Sequence, residues 1–308
     1  MNQLNISILI PTLNAGISWI ETLKSISIQS CPFEKKLIVD SGSSDNTVEL
    51  AKQYGFEVIK INKSEFNHGA TRQLLADYDL NIDVHVFLTQ DAILYSPESI
   101  RNLIDPFNDS QIGMTYGRQL PHRNATALET HARLFNYPPE SEIRSLDDKE
   151  RLGFKVFFCS NSFSAYRRSS LLEVGGFPSD SIMGEDAIVA AKMLMKGFKI
   201  AYVAEATVCH SHSYTIKTEF KRYFDTRVFH EQNKWLIGEY GKPTGEGIKF
   251  VRSELSYIFR NDIKSIFKSI ASLGAKWLGY KAGRFYKSLS VKMLKQLSMH
   301  KYYWEKKI

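Results

Sequence analysis

The chain has 308 residues, 43% of them hydrophobic and 24% charged, which suits one good core with a smaller appendage in an ordinary soluble protein. It holds no apolar run long enough to span a bilayer, and its start runs into NISILIPTLN without a basic n-region, so neither a membrane span nor a signal peptide is expected. The formal charge is +7, yet residues 249–308 carry fourteen Lys and Arg against Glu254, Asp262 and Glu305, leaving the rest of the chain at −4. Such a tail asks for an anionic partner, either nucleic acid or a membrane surface. Three scattered cysteines, Cys31, Cys159 and Cys209, form neither a disulfide framework nor a zinc spacing and point to a reducing cytoplasm.

In chain order, residues 6–10 (ISILI), closed by Pro11, read as a buried strand. Residues 19–29 read as a helix with Ile20, Leu23, Ile26 and Ile28 on one face. KKLIVD (35–40) predicts a second strand stopped by the turn cluster SGSSDN, 47–54 a helix, and FEVIKI (56–61) a third strand. A helix over 70–76 and the strand VHVFLTQD (84–91) follow. Strands alternating with helices predict an α/β fold with a mostly parallel central sheet flanked by helices. Binding sites in such sheets lie beyond the carboxyl ends of the strands.

The middle is less regular. GMTYGRQLP (113–121) reads as a strand, 122–150 as a helix with a polar loop, and FKVFFCSNSFSAYRR (154–168) regains strand character. A loop over 171–186 leads into a helix over 185–198 that ends near Gly197, and KIAYVAEATVCHSH (199–212) reads as the last strand of the core. The pattern then turns helical, which predicts domains at 1–217 and 218–308.

Carboxylates gather at the predicted strand ends. Asp40 and Asp45 flank a Ser/Gly turn, where a carboxylate can accept hydrogen bonds from base or ribose donors; alone, Asp45 reads more simply as a cap for the helix from Thr47. Asp91, after Gln90, suits a hard divalent cation shared with phosphates, or is an ordinary loop aspartate. Glu185 and Asp186 open a helix after Gly184, where a carboxylate caps the helix or takes a proton from a bound hydroxyl. His210 and His212 form an H-x-H pair on one side of a strand end, read either as plain histidines or as metal or phosphate ligands. FNHGATRQ (66–73) sets a flexible Gly69 between His68 and Arg72.

Taken in order, ILIPTLN (8–14), VDSGSSDNT (39–47), TQDA (89–92), GGF (175–177) and GED (184–186) resemble the family-2 glycosyltransferases over roughly residues 5–215. These are inverting GT-A enzymes that use nucleotide-sugars. FNHGATRQ is further similar to the HGATRN signature of bacterial rhamnosyltransferases, with Gln73 replacing the usual Asn. The resemblance implies a nucleotide site walled by Pro11, Thr12 and Asn14, with Asp40 on the base and Ser41, Gly42 and Asp45 around the same pocket. It implies that Gly69 lets the backbone approach the nucleotide while His68 and Arg72 offer positive donors to its phosphates. Asp91 corresponds to the last acid of the metal motif, holding Mg2+ or Mn2+ with His210 or His212, and Gln90 stands where a second carboxylate is usual. Asp186 corresponds to the catalytic base, with Glu185 beside it.

The implied reaction is a single displacement moving L-rhamnose from dTDP-β-L-rhamnose to a saccharide acceptor on a lipid carrier, for O-antigen or another surface polysaccharide. UDP-GlcNAc or UDP-galactose is the competing donor, since the same base contacts serve uracil and thymine. A nucleic-acid-binding protein is the reading of a different class; the acidic remainder of the chain argues against it, and no nucleic acid is expected.

In the tail, Leu255, Ile258, Phe259, Ile263, Ile266, Phe267, Ile270 and Leu273 recur at helical spacing from Val251, with Arg260, Lys264 and Lys268 expected on the far side. Aromatics and cations interleave again in 276–289 and 301–307. This describes either a helix lying peripherally in the anionic inner face of the cytoplasmic membrane, or one packed on the core with a solvated basic face. The same segment suits self-association as a homodimer.

Overall fold

In the computed structural model, which describes residues 4–241 and 245–306, the first apolar run forms β1 (Ile6–Thr12). Ile8, Leu9 and Ile10 lie within 1% of full burial, as a strand covered on both faces requires. There follow α1 (Trp19–Ser27), β2 (Lys35–Asp40), α2 (Thr47–Gln53), β3 (Glu57–Lys60), α3 (His68–Ala76), β4 (Val84–Leu88), β5 (Ile93–Leu94), α4 (Ser99–Ile104) and β6 (Ile112–Leu120). After α5 (Ala127–Asn136) come β7 (Glu142–Arg144), α6 (Lys149–Leu152), β8 (Phe163–Arg167), α7 (Arg168–Glu173), α8 (Glu185–Met195) and β9 (Lys199–Cys209). The chain divides into two units, the first holding 1–120, 137–180 and 185–210, the second 121–136, 181–184 and 211–308.

The first unit carries one sheet in the order β3-β2-β1-β4-β8-β6-β9-β5, with β7 also paired to β9. β3, β2, β1 and β4 run parallel, as do β6 and β9, while β8 is antiparallel to both its neighbours and β5 and β7 are antiparallel to β9. The expected α/β architecture with a parallel sheet is therefore found over its first half and becomes mixed beyond β4. The chain leaves β1 for β2 on one side and returns to β4 on the other, so a crevice opens at the carboxyl ends of β1 and β4. Ile8, Ile10, Ile38, Val84, Val86 and Leu88 meet Trp19, Leu23 and Ile26 of α1 in the core. Trp19 is fully buried, and its Nε1–H donates to the Thr47 carbonyl at 3.0 Å, tying α1 to the start of α2.

Sequence expectations fail at three places in this unit: β7 lies in the stretch read as a helix with a polar loop (122–150), α7 takes the start of the loop expected over 171–186, and the strand expected over 154–168 is shortened. Strand character over 154–168 is confined to β8, and 153–157 is a 3-10 turn. Just before β8 the Asn161 N–H is engaged by the Asp186 carboxylate and not by a neighbouring strand.

The second unit continues with α9 (Ile216–Gln232), α10 (Lys234–Tyr240), α11 (Glu246–Asn261), α12 (Ile266–Gly283), α13 (Val291–Leu297) and α14 (Lys301–Glu305). The long amphipathic stretch expected from Val251 is broken at Asp262, whose φ of −158° and ψ of 70° are not helical. The break resets the helical phase. Ile263, Phe267 and Ile270 beyond the break are 50%, 82% and 55% exposed, Phe259 before it is 71% exposed, and all four share solvent with Arg260, Lys264 and Lys268 instead of opposing them.

What α12 buries is small: Ser269, Ser272, Ala275, Gly279 and Gly283. A Cβ on Gly279 would stand 2.1 Å from the Phe220 carbonyl oxygen, and one on Gly283 2.5 Å from that of Phe224. α12 thus lies directly on the α9 backbone. A buried charge cluster adds direction to the packing. Glu254 accepts from the Ser269 hydroxyl at 2.7 Å, and Lys276 Nζ lies 3.5 Å from Glu254 and 3.7 Å from Glu219. Among the described residues no helix is long and apolar enough to cross a membrane.

Gly279→Ala must push α12 off α9, at a cost of about 1–3 kcal/mol. Gly274→Ala, at a position with open space around its Cβ, should be neutral or slightly stabilising. Equal melting temperatures for the two variants would contradict the close helix contact.

Candidate active site

The rim of the crevice is a set of loops that hold one another. Every backbone N–H from Leu13 to Gly16 is taken by a side chain: Leu13 by Gln90 Oε1, Asn14 by Ser43 Oγ and Ala15 by Thr47 Oγ1, all at 2.8 Å, and Gly16 by Asp45 Oδ2 at 3.1 Å. Asn14 is the one non-glycine residue at positive φ (44°) among the described residues. Asparagine tolerates that region, and here its Oδ1 accepts the Ser44 N–H at 2.8 Å. Asp40, 2% exposed, accepts the Gly42 and Ser43 N–H groups at 3.1 and 2.9 Å, together with the Thr12 and Ser43 hydroxyls. The Ser41 hydroxyl donates to the Thr12 carbonyl at 3.0 Å.

Pro11, Thr12, Asn14, Asp40, Ser41, Gly42 and Asp45 are thus brought to one rim, but the Asp40 and Asp45 carboxylates are engaged in closing it. The capping reading of Asp45 is what the geometry gives, with Oδ1 accepting the Thr47 N–H at 3.1 Å; the Thr47 hydroxyl is the main cause holding that carboxyl below its ordinary range. Gln90 grips Leu13 at both ends, its Nε2 donating to the Leu13 carbonyl at 3.2 Å. Its amide thereby braces the β1 loop.

Asp91, half-buried in the turn after β4, meets His210 just beyond β9, with Oδ1 to Nε2 at 3.4 Å. His210 is 4% exposed, and its Nδ1 lies 2.9 Å from Gln119 Oε1. Gln119 is fixed in turn by donating to Ser160 Oγ at 2.9 Å. An amide oxygen accepts from Nδ1–H, so in the neutral ring Nε2 is the unprotonated nitrogen, turned toward Asp91. A ligating imidazole oriented through its other nitrogen is the arrangement that metal sites use. One carboxylate oxygen and one imidazole nitrogen, close enough to share an ion, fit Mn2+ or Mg2+. His212 follows two residues on, at the start of the second unit.

The acidic pair is positioned by α3. Asn67 caps that helix, its side chain accepting the Gly69 and Ala70 N–H groups at 3.0 Å. A Cβ on Gly69 would lie 1.8 Å from the Pro178 carbonyl oxygen, so only glycine lets α3 rest on the 176–178 segment. One turn on, Gln73 Oε1 accepts the Phe177 N–H at 2.7 Å and covers Gly176, which sits at φ 70°. Arg72, 5% exposed, places Nη1 2.7 Å from Glu185 Oε1.

HGATRQ, which the resemblance turns toward the nucleotide, makes close contacts within the chain. Gly69 admits the Pro178 carbonyl, and the charge of Arg72 is met by Glu185. Burial pushes the His68 imidazole below its ordinary value, against the pull of Glu185.

Sequence reasoning missed Asn161. This residue, 3% exposed, donates Nδ2–H to Glu185 Oε1 and its backbone N–H to Asp186 Oδ2, both at 3.1 Å. Its own Oδ1 accepts from Ser164 at 2.8 Å and Tyr166 at 2.7 Å. A lone asparagine in CSNSF carries no signature; its role exists only where β8 meets α8.

The electrostatics separate the two acids. Burial alone would raise the Glu185 carboxyl, but Arg72, then His68, outweigh it and hold that group below the usual carboxylate range. Asp186 is pushed up to about 6, by burial first and by the Glu185 charge second. The environments of two adjacent carboxyls thus drive their proton affinities in opposite directions.

Residues 7–175 match the family model described as Glycosyl transferase family 2. Over 98% of its length the chain is 45% identical to the O-antigen chain rhamnosyltransferase RfbN of Salmonella typhimurium, covering 96% of that protein. It is 43% identical to WbaN of Salmonella anatum, named likewise, over 97% of this chain and 95% of that one. Among solved structures it resembles a mannosyltransferase from Pyrobaculum calidifontis in complex with GDP-Man and Mn2+, with a TM-score of 0.59 at 14% identity over 96% of this chain and 85% of that chain. A second is glucosyl-3-phosphoglycerate synthase from Mycobacterium tuberculosis with Mn2+ and UDP-glucose, at a TM-score of 0.52 and 17% identity, covering 79% and 81%. These two likenesses speak for the fold.

Arg72→Leu strands a buried carboxylate and should destabilise the protein by about 3–5 kcal/mol in denaturant titration. Adding Glu185→Gln should recover part of that loss. Strictly additive effects in the double-mutant cycle would mean that the pair is not coupled.

Proposed function

Because the chain belongs to glycosyl transferase family 2, we propose that it moves L-rhamnose from dTDP-β-L-rhamnose to a hydroxyl of a lipid-carried saccharide, in the assembly of O-antigen or a related surface polysaccharide. The observation that carries this reading is Asp186, a half-buried carboxyl at the first turn of α8 with its proton affinity raised to about 6. Support for rhamnose comes from relatives at 45% and 43% identity that are named O-antigen chain rhamnosyltransferases.

In the proposed reaction Asp186 takes the proton of the acceptor hydroxyl as its oxygen attacks the anomeric carbon. The bond from that carbon to the dTDP oxygen breaks on the opposite face, dTDP leaves, and the β-linked donor becomes an α-linked rhamnoside. Asp186 then returns its proton to solvent. Glu185 stays ionised beside Arg72, and Asn161 keeps Asp186 aimed. The rim at 11–16 and 40–45, stiffened by its own hydrogen bonds, would seat the nucleotide.

Asp91 and His210 would hold a divalent cation, Mg2+ or Mn2+, which when bound neutralises charge building on the diphosphate. The enzyme would work in the cytoplasm, peripherally at the inner face of the membrane where lipid-linked acceptors lie.

Asp186→Asn should cut turnover about 10²–10⁴-fold while dTDP still raises the melting temperature. Wild-type turnover should rise with pH through about 6, because the base acts only when ionised. Release of nucleoside diphosphate from dTDP-rhamnose, and not from UDP-GlcNAc or UDP-galactose, checks the donor; the reverse preference would overturn the sugar assignment. His210→Ala should abolish the rise in melting temperature on adding Mn2+, read without donor present. An unchanged rise would take His210 out of the cation site.

A further inference from the structure

α12 is turned inside out relative to an ordinary surface helix. Such a helix buries its large apolar side chains and exposes its small and polar ones. Here Ser269, Ser272, Ala275, Gly279 and Gly283 face inward, while Phe267, Ile270, Trp277 and Leu278 are 82%, 55%, 61% and 54% exposed. At 3.6 residues per turn these four share one face. Phe259 and Ile263 precede them in the chain, 71% and 50% exposed, and Phe285 follows at 60%. Contiguous apolar exposure of this kind marks a contact surface.

The charges around it choose the occupant. Arg260, Lys264, Lys268, Lys281, Arg284 and Lys287 are all exposed, and Asp262 is the only acid between Phe259 and Ser290. Asp262 is itself engaged by the Ser265 hydroxyl. Lys281 Nζ lies 5.7 Å above the Trp277 ring, so the indole sits at the junction of apolar and cationic surface. Two copies of so cationic a strip repel each other, whereas an anionic lipid layer attracts the charges and receives the apolar side chains. No described helix can cross a bilayer, which leaves α12 lying in its plane.

We propose that the exposed face of α12 docks on an anionic phospholipid bilayer, with Phe267, Ile270, Trp277 and Leu278 in the headgroup layer and Lys264, Lys268 and Lys281 on the lipid phosphates. The proposal rests on the reading above only for the lipid-carried acceptor that gives such docking its use.

The test is co-sedimentation of the full chain with vesicles of equal parts phosphatidylglycerol and phosphatidylethanolamine, against pure phosphatidylcholine. The wild type should bind only the first. A triple Lys264→Gln, Lys268→Gln, Lys281→Gln variant should lose about a hundredfold in partitioning, at roughly fivefold per cation removed. Phe267→Ser with Trp277→Ser should lose binding as well. These side chains are exposed, so unchanged melting temperatures and unchanged turnover of a water-soluble acceptor are expected for both variants.

Vesicle binding kept by both variants, or never made by the wild type, overturns the proposal. So does a wild-type dimer that becomes monomeric in Phe267→Ser with Trp277→Ser, which assigns the face to a second copy. If no donor is turned over yet the vesicle results hold, the functional reading falls and the docking surface stands.

Discussion

The buried pair of Arg72 and Glu185 is the constraint around which the catalytic end is arranged. A carboxylate this buried is costly unless a cation meets it at hydrogen-bond distance, and Arg72 does so at 2.7 Å from a position 113 residues away in sequence. The contact requires α3 to lie against the segment before α8. That in turn needs Gly69 under the Pro178 carbonyl and Gln73 on the Phe177 N–H. Once Glu185 is fixed as an anion, its charge adds to burial in raising Asp186 into the range of a base. A motif with the look of a ligand-binding loop is thereby a brace for the acidic pair.

Self-satisfaction governs the rim in the same way. Asp40, Asp45, Ser43, Thr47 and Gln90 use their polar atoms on the backbones of 13–16 and 42–47, which holds Asn14 in the left-handed region. A rim closed by its own hydrogen bonds is preorganised, so little ordering remains when a ligand arrives. Where β4 and β9 end, Asp91 and His210 face each other at 3.4 Å.

The helical unit solves a different problem. α12 gains its contact with α9 from backbone proximity, not from large apolar side chains, because Gly279 and Gly283 have no Cβ to hold the helices apart. The buried Glu254 and Lys276 then fix which face turns inward, since neither charge can be swung into solvent without losing its partner. What remains outside is apolar and cationic together.

Much of the first unit was legible in the sequence because its signals are local. The apolar run at 6–10, the KKLIVD strand, the Gly184 stop before Glu185 and Asp186, and the order of strand-end carboxylates all survive as read. Local pattern also sufficed to recognise the family. It could not say that Arg72 faces Glu185, that Gln90 is committed to Leu13, or that Asn161 serves both acids, since each depends on chain segments brought together only by packing. Nor could periodicity orient α12. Helical spacing states which residues share a face, but which face is covered is decided by what fits against α9, and there two glycines outcompete a phenylalanine and a tryptophan.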